Sequence, residues 1–209
     1  MLVNDPFPPS EFDSWAEHYD QSTLESTIFP FNGYEKVLQT VLGRAESRPG
    51  HAVLDLGTGT GKLALLFDKI GCELWCSDFS PLMLEKARAK LPHAHFALHD
   101  LRQAWPSEFE RSFDVIVSAY VFHHFELAQK VSICRDLVEN RLVPGGKLVI
   151  ADLSFPDRIA MKTFAASIGD LWDEEFYWLA DESLPALRQA GLRAEYEQVS
   201  VCAGVYTLC

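Results

Sequence analysis

The sequence has few basic residues, no long apolar run and no closely paired cysteines. Its 209 residues include 18 Lys and Arg against 30 Asp and Glu, which gives a formal net charge of -12 at pH 7. Because an acidic surface repels phosphate backbones, we expect no nucleic acid partner. No apolar stretch reaches the ~18 residues that indicate a membrane-spanning helix, so no membrane segment is predicted.

The cysteines and the N-terminus predict a cytoplasmic protein. There are 5 cysteines, an odd number, and none forms a C-x-x-C pair, which indicates reduced thiols. The first residues, Met1-Leu2-Val3-Asn4-Asp5-Pro6, have neither a basic start nor a long apolar core, so we expect no signal peptide.

The length fits one domain with an N-terminal extension. Helices are predicted over residues 11–20, with Ser10 as N-cap, and over residues 33–47. Arg48-Pro49-Gly50 then interrupts the chain. We therefore divide it into an N-terminal arm and helical lid (1–48) and a main domain (49–209).

From residue 51 onward, predicted strands alternate with predicted helices. The strands that begin at residues 52, 113 and 147 are nearly continuous apolar runs, typical of strands covered on both faces. A parallel sheet between two helical layers is therefore predicted. The predicted strands of this part are 52–56, 73–77, 94–98, 113–121 and 147–153. Helices near 157–170 and 181–190 follow, and then two strands, 192–199 and 201–208, that can pair as a hairpin.

A glycine-rich turn joins the first of these strands to a helix. It reads Gly57-Thr58-Gly59-Thr60-Gly61, and helix residues follow at once. Glycines let the backbone approach a ligand closely, and the N–H groups of the following helix start favour a carboxylate or phosphate. The sixth position from Gly57 is Lys62, so the G-x-G-x-x-G fingerprint of dinucleotide-binding proteins fails there.

Acidic residues stand near the ends of three predicted strands. Asp55 precedes the glycine turn, Asp78 closes the second strand and Asp100 follows the third. A carboxylate at Asp78 can accept hydrogen bonds from both hydroxyls of a ribose. Because the carboxyl ends of parallel strands meet at one edge, we expect these groups near a common ligand site.

Five segments, taken together, resemble the class I methyltransferases that use S-adenosylmethionine (AdoMet). Asp55 with G-x-G-x-G resembles their first motif. The further segments, in order, are Asp78-Phe79-Ser80 with Met83 and Leu84, His99-Asp100-Leu101, Phe113-Asp114-Val115-Ile116, and Leu142 to Leu148. The resemblance covers residues 52–153.

This resemblance implies a Rossmann-like, doubly wound, mostly parallel sheet of seven strands with a C-terminal β-hairpin and an N-terminal helical lid. It implies AdoMet as cofactor and S-adenosylhomocysteine as product. Asp78 would hold the ribose, Phe79 would pack on adenine and Asp100 would accept from the adenine amino group. The residues expected to bind cofactor are Tyr19, Asp55, Gly57, Thr58, Gly59, Asp78, Phe79, Met83, Asp100, Leu101 and Ser118.

The N-terminal segment Phe12-Asp13-Ser14-Trp15-Ala16-Glu17-His18-Tyr19-Asp20 resembles a narrower group. It is similar to the opening of small bacterial YrrT-like methyltransferases, many of them uncharacterised. The resemblance implies a lid in which Trp15 and Tyr19 face the cofactor. The alternative is that both rings form the apolar face of a packing helix.

Methyl transfer from a sulfonium is an in-line displacement that depends mainly on alignment, which can lower a barrier by roughly 7–11 kcal/mol at best. The segment after the fourth strand, residues 118–125, should border the methyl group. It lacks N-P-P-Y, which argues against amide or nucleobase acceptors. His123 is our candidate base, and the alternative is that it shapes the pocket.

We predict no metal site. His93, His95 and His99 share one strand face, but a polar face on an edge strand explains them without a metal. Tyr177 and Trp178 line the substrate side in one interpretation and form a hydrophobic helix face in the other.

The main hypothesis is therefore methyl transfer from AdoMet to a small-molecule N, O or S nucleophile. The alternatives are an NAD-dependent Rossmann oxidoreductase and a non-catalytic AdoMet-binding protein. The sequence leaves the acceptor and the oligomeric state open.

Overall fold

The computed structural model describes residue 13, residues 19–23 and residues 29–209. Eight strands are found there. They are β1 (Ala52–Leu56), β2 (Glu73–Asp78), β3 (His95–Leu98), β4 (Phe113–Ala119), β5 (Leu142–Phe155), β6 (Trp178–Leu179), β7 (Ala194–Gln198) and β8 (Ala203–Leu208).

Helices connect these strands. The α-helices are α1 (Tyr19–Ser22), α2 (Tyr34–Ala45), α3 (Lys62–Asp68), α4 (Pro81–Lys90), α5 (Leu127–Asn140), α6 (Arg158–Ile168) and α7 (Ala180–Gln189). Short 3-10 helices cover Ser107–Phe109, Phe122–His124 and Gly169–Leu171. None of the helices described is long and apolar enough to cross a membrane.

The sheet has the predicted topology. Its main path runs β3-β2-β1-β4-β5-β8-β7. The first five strands pair in parallel, whereas β8 is antiparallel to both β5 and β7. The mostly parallel seven-stranded sheet and the C-terminal hairpin are thus confirmed. The two-residue strand β6, which pairs with the end of β5, was not predicted.

Two cores lie on opposite faces of the sheet, because successive strand residues point to opposite sides. Leu54 belongs to one core, with residues of α5 and α7, and Val53 belongs to the other, with residues of α2 and α3. Helix α2 buries Val37 and Val41 completely and packs against β5 and β8. Part of the predicted arm and lid, residues 34–45, therefore lies in a helical layer of the sheet. The boundary at residue 48 stays a prediction.

Local signals explain several element ends. The Ser80 hydroxyl accepts from the backbone N–H of Met83 at 3.1 Å, and Pro81 follows, so Ser80 is the N-cap of α4. Strand β5 begins at Leu142 rather than at residue 147, and its register against β4 shifts between Phe113 and Val115. The Ser10 cap, residue Trp15 and most of the predicted helix 11–20 lie outside the described residues.

Candidate active site

A cavity of about 320 Å³ opens at the carboxyl ends of the parallel strands. One end of it is bordered by the glycine turn and by residues that follow β2 and β3. Eight of the predicted cofactor residues line it: Tyr19, Gly57, Gly59, Asp78, Phe79, Met83, Asp100 and Leu101.

The turn between β1 and α3 depends on glycine at two positions for different reasons. Gly57 and Gly59 have φ angles of +65° and +54°, which side chains rarely adopt. A Cβ atom on Gly57 would lie 2.2 Å from Cγ2 of Val121, whereas one on Gly59 would meet nothing within 4 Å. Gly57 is therefore required by packing, and Gly59 leaves an open backbone surface on the cavity.

The Asp78 carboxylate ties two turns together at the floor of the cavity. Its Oδ2 accepts from the backbone N–H of Gly59 at 2.8 Å, and its Oδ1 accepts from that of Ser80 at 2.9 Å. Burial raises the pKa of Asp78 to about 6, although these backbone donors oppose the rise.

Asp55 and Thr58 lie beneath the turn and not on the main cavity. Both line a small hollow beside it, together with Tyr34 and Lys62. The Thr58 hydroxyl donates to Oδ2 of Asp55 at 2.7 Å. Burial raises the pKa of Asp55 to about 7. These two residues hold the shape of the turn from below.

The edge of the cavity near β3 carries a paired carboxylate. Asp100 accepts from Arg102 at both oxygens, with Nη2 at 2.7 Å from Oδ2 and Nε at 2.9 Å from Oδ1. His99 also lines the cavity and packs against Trp105 with ring centroids 4.8 Å apart. His95 instead stacks on Trp75 outside the cavity, so these histidines do not gather into one site.

The described part of the N-terminal segment covers the glycine turn. Tyr19 lines the cavity, and the neighbouring Asp20 accepts from Lys90 Nζ at 2.5 Å and from Thr60 Oγ1 at 2.6 Å. Asp13 accepts from the Ser80 hydroxyl at 2.5 Å. These bonds fasten the segment to both ligand-facing turns, as a lid requires.

Ser118 is the predicted cofactor residue that the structure brings to neither hollow. Its hydroxyl is fully buried and donates to the carbonyl oxygen of Leu56 at 2.8 Å. The next residues, Ala119 and Tyr120, line the cavity in its place, and Tyr120 has a φ angle of 59°. Such positive φ angles in non-glycine residues often occur at functional sites.

His123 lies at the other end of the same cavity and has a buried carboxylate partner. Its Nδ1 is 2.6 Å from Oδ1 of Asp152, and it is 8% exposed. Asp152 also accepts from the backbone N–H of Leu153 and from Nε1 of Trp178. Burial alone lowers the pKa of His123, but the charge and hydrogen bond of Asp152 outweigh it and raise that pKa above its usual value.

Glu175 also lines the cavity beside His123 and was not predicted as a site residue. Its carboxylate oxygens lie 3.7 Å from His123 Nε2 and 3.9 Å from His124 Nδ1. Buried Lys130 donates to the Phe176 carbonyl, and the Phe176 N–H donates to the His123 carbonyl at 3.0 Å. These contacts fix the segment that carries Glu175.

No metal site was predicted from the sequence, but three side chains of the cavity, His123, His124 and Glu175, could together hold a metal ion. Potential ligand atoms of His123, His124 and Glu175 lie within 4.8 Å of one another, which was found for no other set among the described residues. Tyr177 and Trp178, in contrast, do not line the cavity. Trp178 is 1% exposed and packs on Tyr206, and Tyr177 packs on Trp172.

Comparisons with known proteins agree with this architecture. A family model for a methyltransferase domain matches residues 53–146. An uncharacterized methyltransferase of Geobacillus kaustophilus is 32% identical over 198 residues, which cover 90% of this chain and 89% of the relative. One of Anoxybacillus flavithermus is 33% identical over 175 residues, covering 82% and 77%. The chain belongs to the class I S-adenosylmethionine-dependent methyltransferases.

Solved structures with the same fold include a complex with S-adenosylhomocysteine and an enzyme named for a different reaction. The DhpI–SAH complex has a TM-score of 0.73 at 18% identity and covers 96% of this chain and 94% of its own. The [4+2]-cyclase SpnF has a TM-score of 0.70 at 15% identity, with 97% and 96% covered. The fold alone therefore does not define the reaction, and the side chains must.

The cavity of this methyltransferase fits its cofactor. The bare backbone at Gly59, the carboxylate of Asp78 and the apolar side chains of Phe79 and Met83 stand together at one end. These are the groups that an amino acid, a ribose and an adenine ring need. The family assignment leaves no support for the NAD-dependent alternative.

Proposed function

We propose that this methyltransferase methylates a small-molecule nucleophile through N, O or S, and that His123 accepts the proton which the nucleophile loses. The observation that carries the proposal is the continuity of one cavity. Gly59 and Asp78 lie at one end of it, and His123, backed by Asp152, lies at the other. AdoMet, when bound, would supply the electrophilic methyl group on its sulfonium.

The proposed cofactor contacts follow from the positions of the side chains. Asp78 has its carboxylate fixed by two backbone donors and retains lone pairs that can accept from ribose hydroxyls. Phe79, Met83 and Leu101 offer an apolar slot for adenine. Asp100 would accept from the adenine amino group at the edge, and Tyr19 would cover the site.

The proposed base has the arrangement that general-base catalysis requires. The carboxylate of Asp152 holds a proton on Nδ1 of His123, so the lone pair of Nε2 is available on the cavity side. When Nε2 takes a proton, the imidazolium is stabilised by the charge of Asp152. Asp152 is suited to this because the charge and hydrogen bond of His123 lower its pKa below the usual value, although its burial acts to raise that pKa.

A cytoplasmic location is part of the proposal and is supported by the free state of all five cysteines. Small size of the acceptor is supported by the cavity volume of about 320 Å³, which has to hold the cofactor as well as the acceptor.

An assay of S-adenosylhomocysteine release tests the proposal. Purified protein is incubated with AdoMet and a panel of small amines, alcohols, thiols and carboxylates, with and without EDTA because of the potential ligand set at His123. We expect His123→Asn to lower the rate by roughly 10²- to 10⁴-fold while cofactor affinity persists. His95→Asn, an exposed histidine of β3, serves as the matched control.

The pH profile of the same assay separates a base from a structural histidine. Activity should fall as pH drops through the raised pKa of His123. In Asp152→Asn that limb should move to lower pH, because the charge that raises the pKa is gone. An unchanged rate in His123→Asn would contradict the assigned base, and cofactor binding without transfer to any acceptor would favour the non-catalytic alternative.

A further inference from the structure

We propose that the acceptor is an apolar amine, bound through its ammonium group to the carboxylate of Glu175 beside His123. The inference rests on the proposed function and names the substrate class of that same site. It is drawn from the charges and the walls at the acceptor end of the cavity.

Glu175 is a carboxylate on the cavity wall, and no lysine or arginine nitrogen of the described residues lies within 4.0 Å of its oxygens. Its side chain is 14% exposed, and the nearest ring nitrogens, of His123 and His124, are 3.7 and 3.9 Å away. A largely buried carboxylate whose ion-pair neighbours in the described part of the chain are these two rings would be stabilised by a cation from the ligand.

The other charged groups near Glu175 leave an excess of negative charge. Asp152 and Asp173 add to it, whereas His123 and Lys130 oppose it, so three carboxylates face two basic groups. Lys130 is 1% exposed, donates to the Phe176 carbonyl and lies 4.7 Å from the centre of the Trp178 ring, so it is committed within the protein. An ammonium would neutralise this excess, and a carboxylate or phosphate acceptor would be repelled by it.

The remaining walls suit an apolar body. Phe29, Phe31, Tyr120, Leu153 and Leu171 line the same cavity. Aromatic rings also attract cations through their faces. A ligand with one ammonium and a compact hydrocarbon or aromatic skeleton matches this surface.

The reaction balances without any further reagent. The ammonium gives one proton to Nε2 of His123, which leaves a neutral amine with a lone pair. That lone pair forms the new N–C bond to the methyl group as the S–C bond breaks, and the electron pair of the broken bond stays on sulfur as a neutral thioether. The product is a methylated ammonium, and the proton on His123 passes to water.

Three probes of nearly equal size test the charge preference. Benzylamine, benzyl alcohol and benzoate are titrated by calorimetry into protein saturated with S-adenosylhomocysteine, in the presence of EDTA. Wild-type protein should bind benzylamine about 10- to 100-fold more tightly than benzyl alcohol, as expected for a hydrogen bond to a charged group. Glu175→Gln should remove this difference. The control Glu174→Gln, which makes the same charge change on an exposed neighbour, should keep it.

The outcomes distinguish this inference from the proposed function. Equal or tighter binding of the alcohol or of benzoate, an unchanged preference in Glu175→Gln, or no binding of any probe would overturn the amine assignment. S-adenosylhomocysteine would still bind in each of these cases, and another acceptor would still be methylated. If folded wild-type protein does not bind S-adenosylhomocysteine, the proposed function itself is overturned.

Discussion

At the scale of single residues, Asp78 does two tasks with one side chain. Its oxygens accept from Gly59 and Ser80, so the carboxylate links the turn after β1 to the turn after β2. A ligand that reaches Asp78 therefore meets a group whose position is already fixed, which reduces the cost of ordering it on binding. Its replacement should disturb the adjoining turns as well as a direct contact.

The buried carboxyl of Asp55 should make the free energy of unfolding depend on pH. Its pKa is about 7 in the folded chain because of burial, against 3.8 when exposed, so the folded state holds the proton more tightly. Stability from this group is present at low pH and is lost as pH rises from about 4 to about 7. Relative to wild type, Asp55→Asn should become more stable across that window, by on the order of 4 kcal/mol at most.

Urea unfolding of both proteins at about pH 5 and about pH 8 measures this change. The control is Asp68→Asn, which makes the same charge change at an exposed carboxylate of α3. A difference between Asp55→Asn and wild type that does not vary with pH would show that Asp55 is charged in the folded chain.

Some site residues were visible in the sequence and others were not, for a physical reason. Gly57, Gly59 and Asp78 stand in short sequence motifs, so their neighbours along the chain were enough to predict them. Asp152 and Glu175 meet His123 only through the tertiary fold, from the end of β5 and from the segment before β6. No regular sequence spacing relates Asp152 and Glu175 to His123. The sequence could therefore suggest His123 but not these two partners.

At the scale of elements, two glycines in the turn between β1 and α3 have different roles. Gly57 is required for packing, whereas we expect Gly59 to contact the ligand. Gly57→Ala places a Cβ 2.2 Å from Val121, so we expect a loss of stability of roughly 2 kcal/mol or more. Gly59→Ala has free space and should cost only about 1 kcal/mol, from its positive φ. It should nevertheless weaken cofactor binding, since its methyl enters the cavity.

Thermal unfolding with and without S-adenosylhomocysteine checks this pair. Adding Val121→Ala to Gly57→Ala should recover part of the lost stability, because it removes the atom that clashes. If Gly59→Ala binds the cofactor product as tightly as wild type, the open backbone at Gly59 is not part of the cofactor site.

Elements were predictable where a strong local pattern agreed with the fold. Strand β1 matches the prediction to the residue, because an apolar run defines it. Strand β6 has only two residues and depends on pairing with the end of β5, which no periodicity reveals. Strand β5 extends back to Leu142 because its pairing with β4 continues across a register shift despite Pro144-Gly145-Gly146.

At the scale of the whole molecule, the chain order of the strands creates the site. The order β3-β2-β1-β4-β5 places β1 and β4 side by side, and the connections from them leave in opposite directions along the sheet. The crevice at such a switch point is where open α/β sheets bind ligands. Motifs from 53 to 123 thus converge on one cavity, while β8 and β7 complete the sheet at its far edge.

A calorimetric titration with S-adenosylhomocysteine tests this account most directly. We predict saturable binding to wild-type protein with a Kd on the order of 1–10 μM, no binding of NAD⁺, and a loss of affinity of roughly 100-fold in Asp78→Asn. Folded wild-type protein that gives no binding signal with S-adenosylhomocysteine, or Asp78→Asn that binds it with unchanged affinity, would contradict the account.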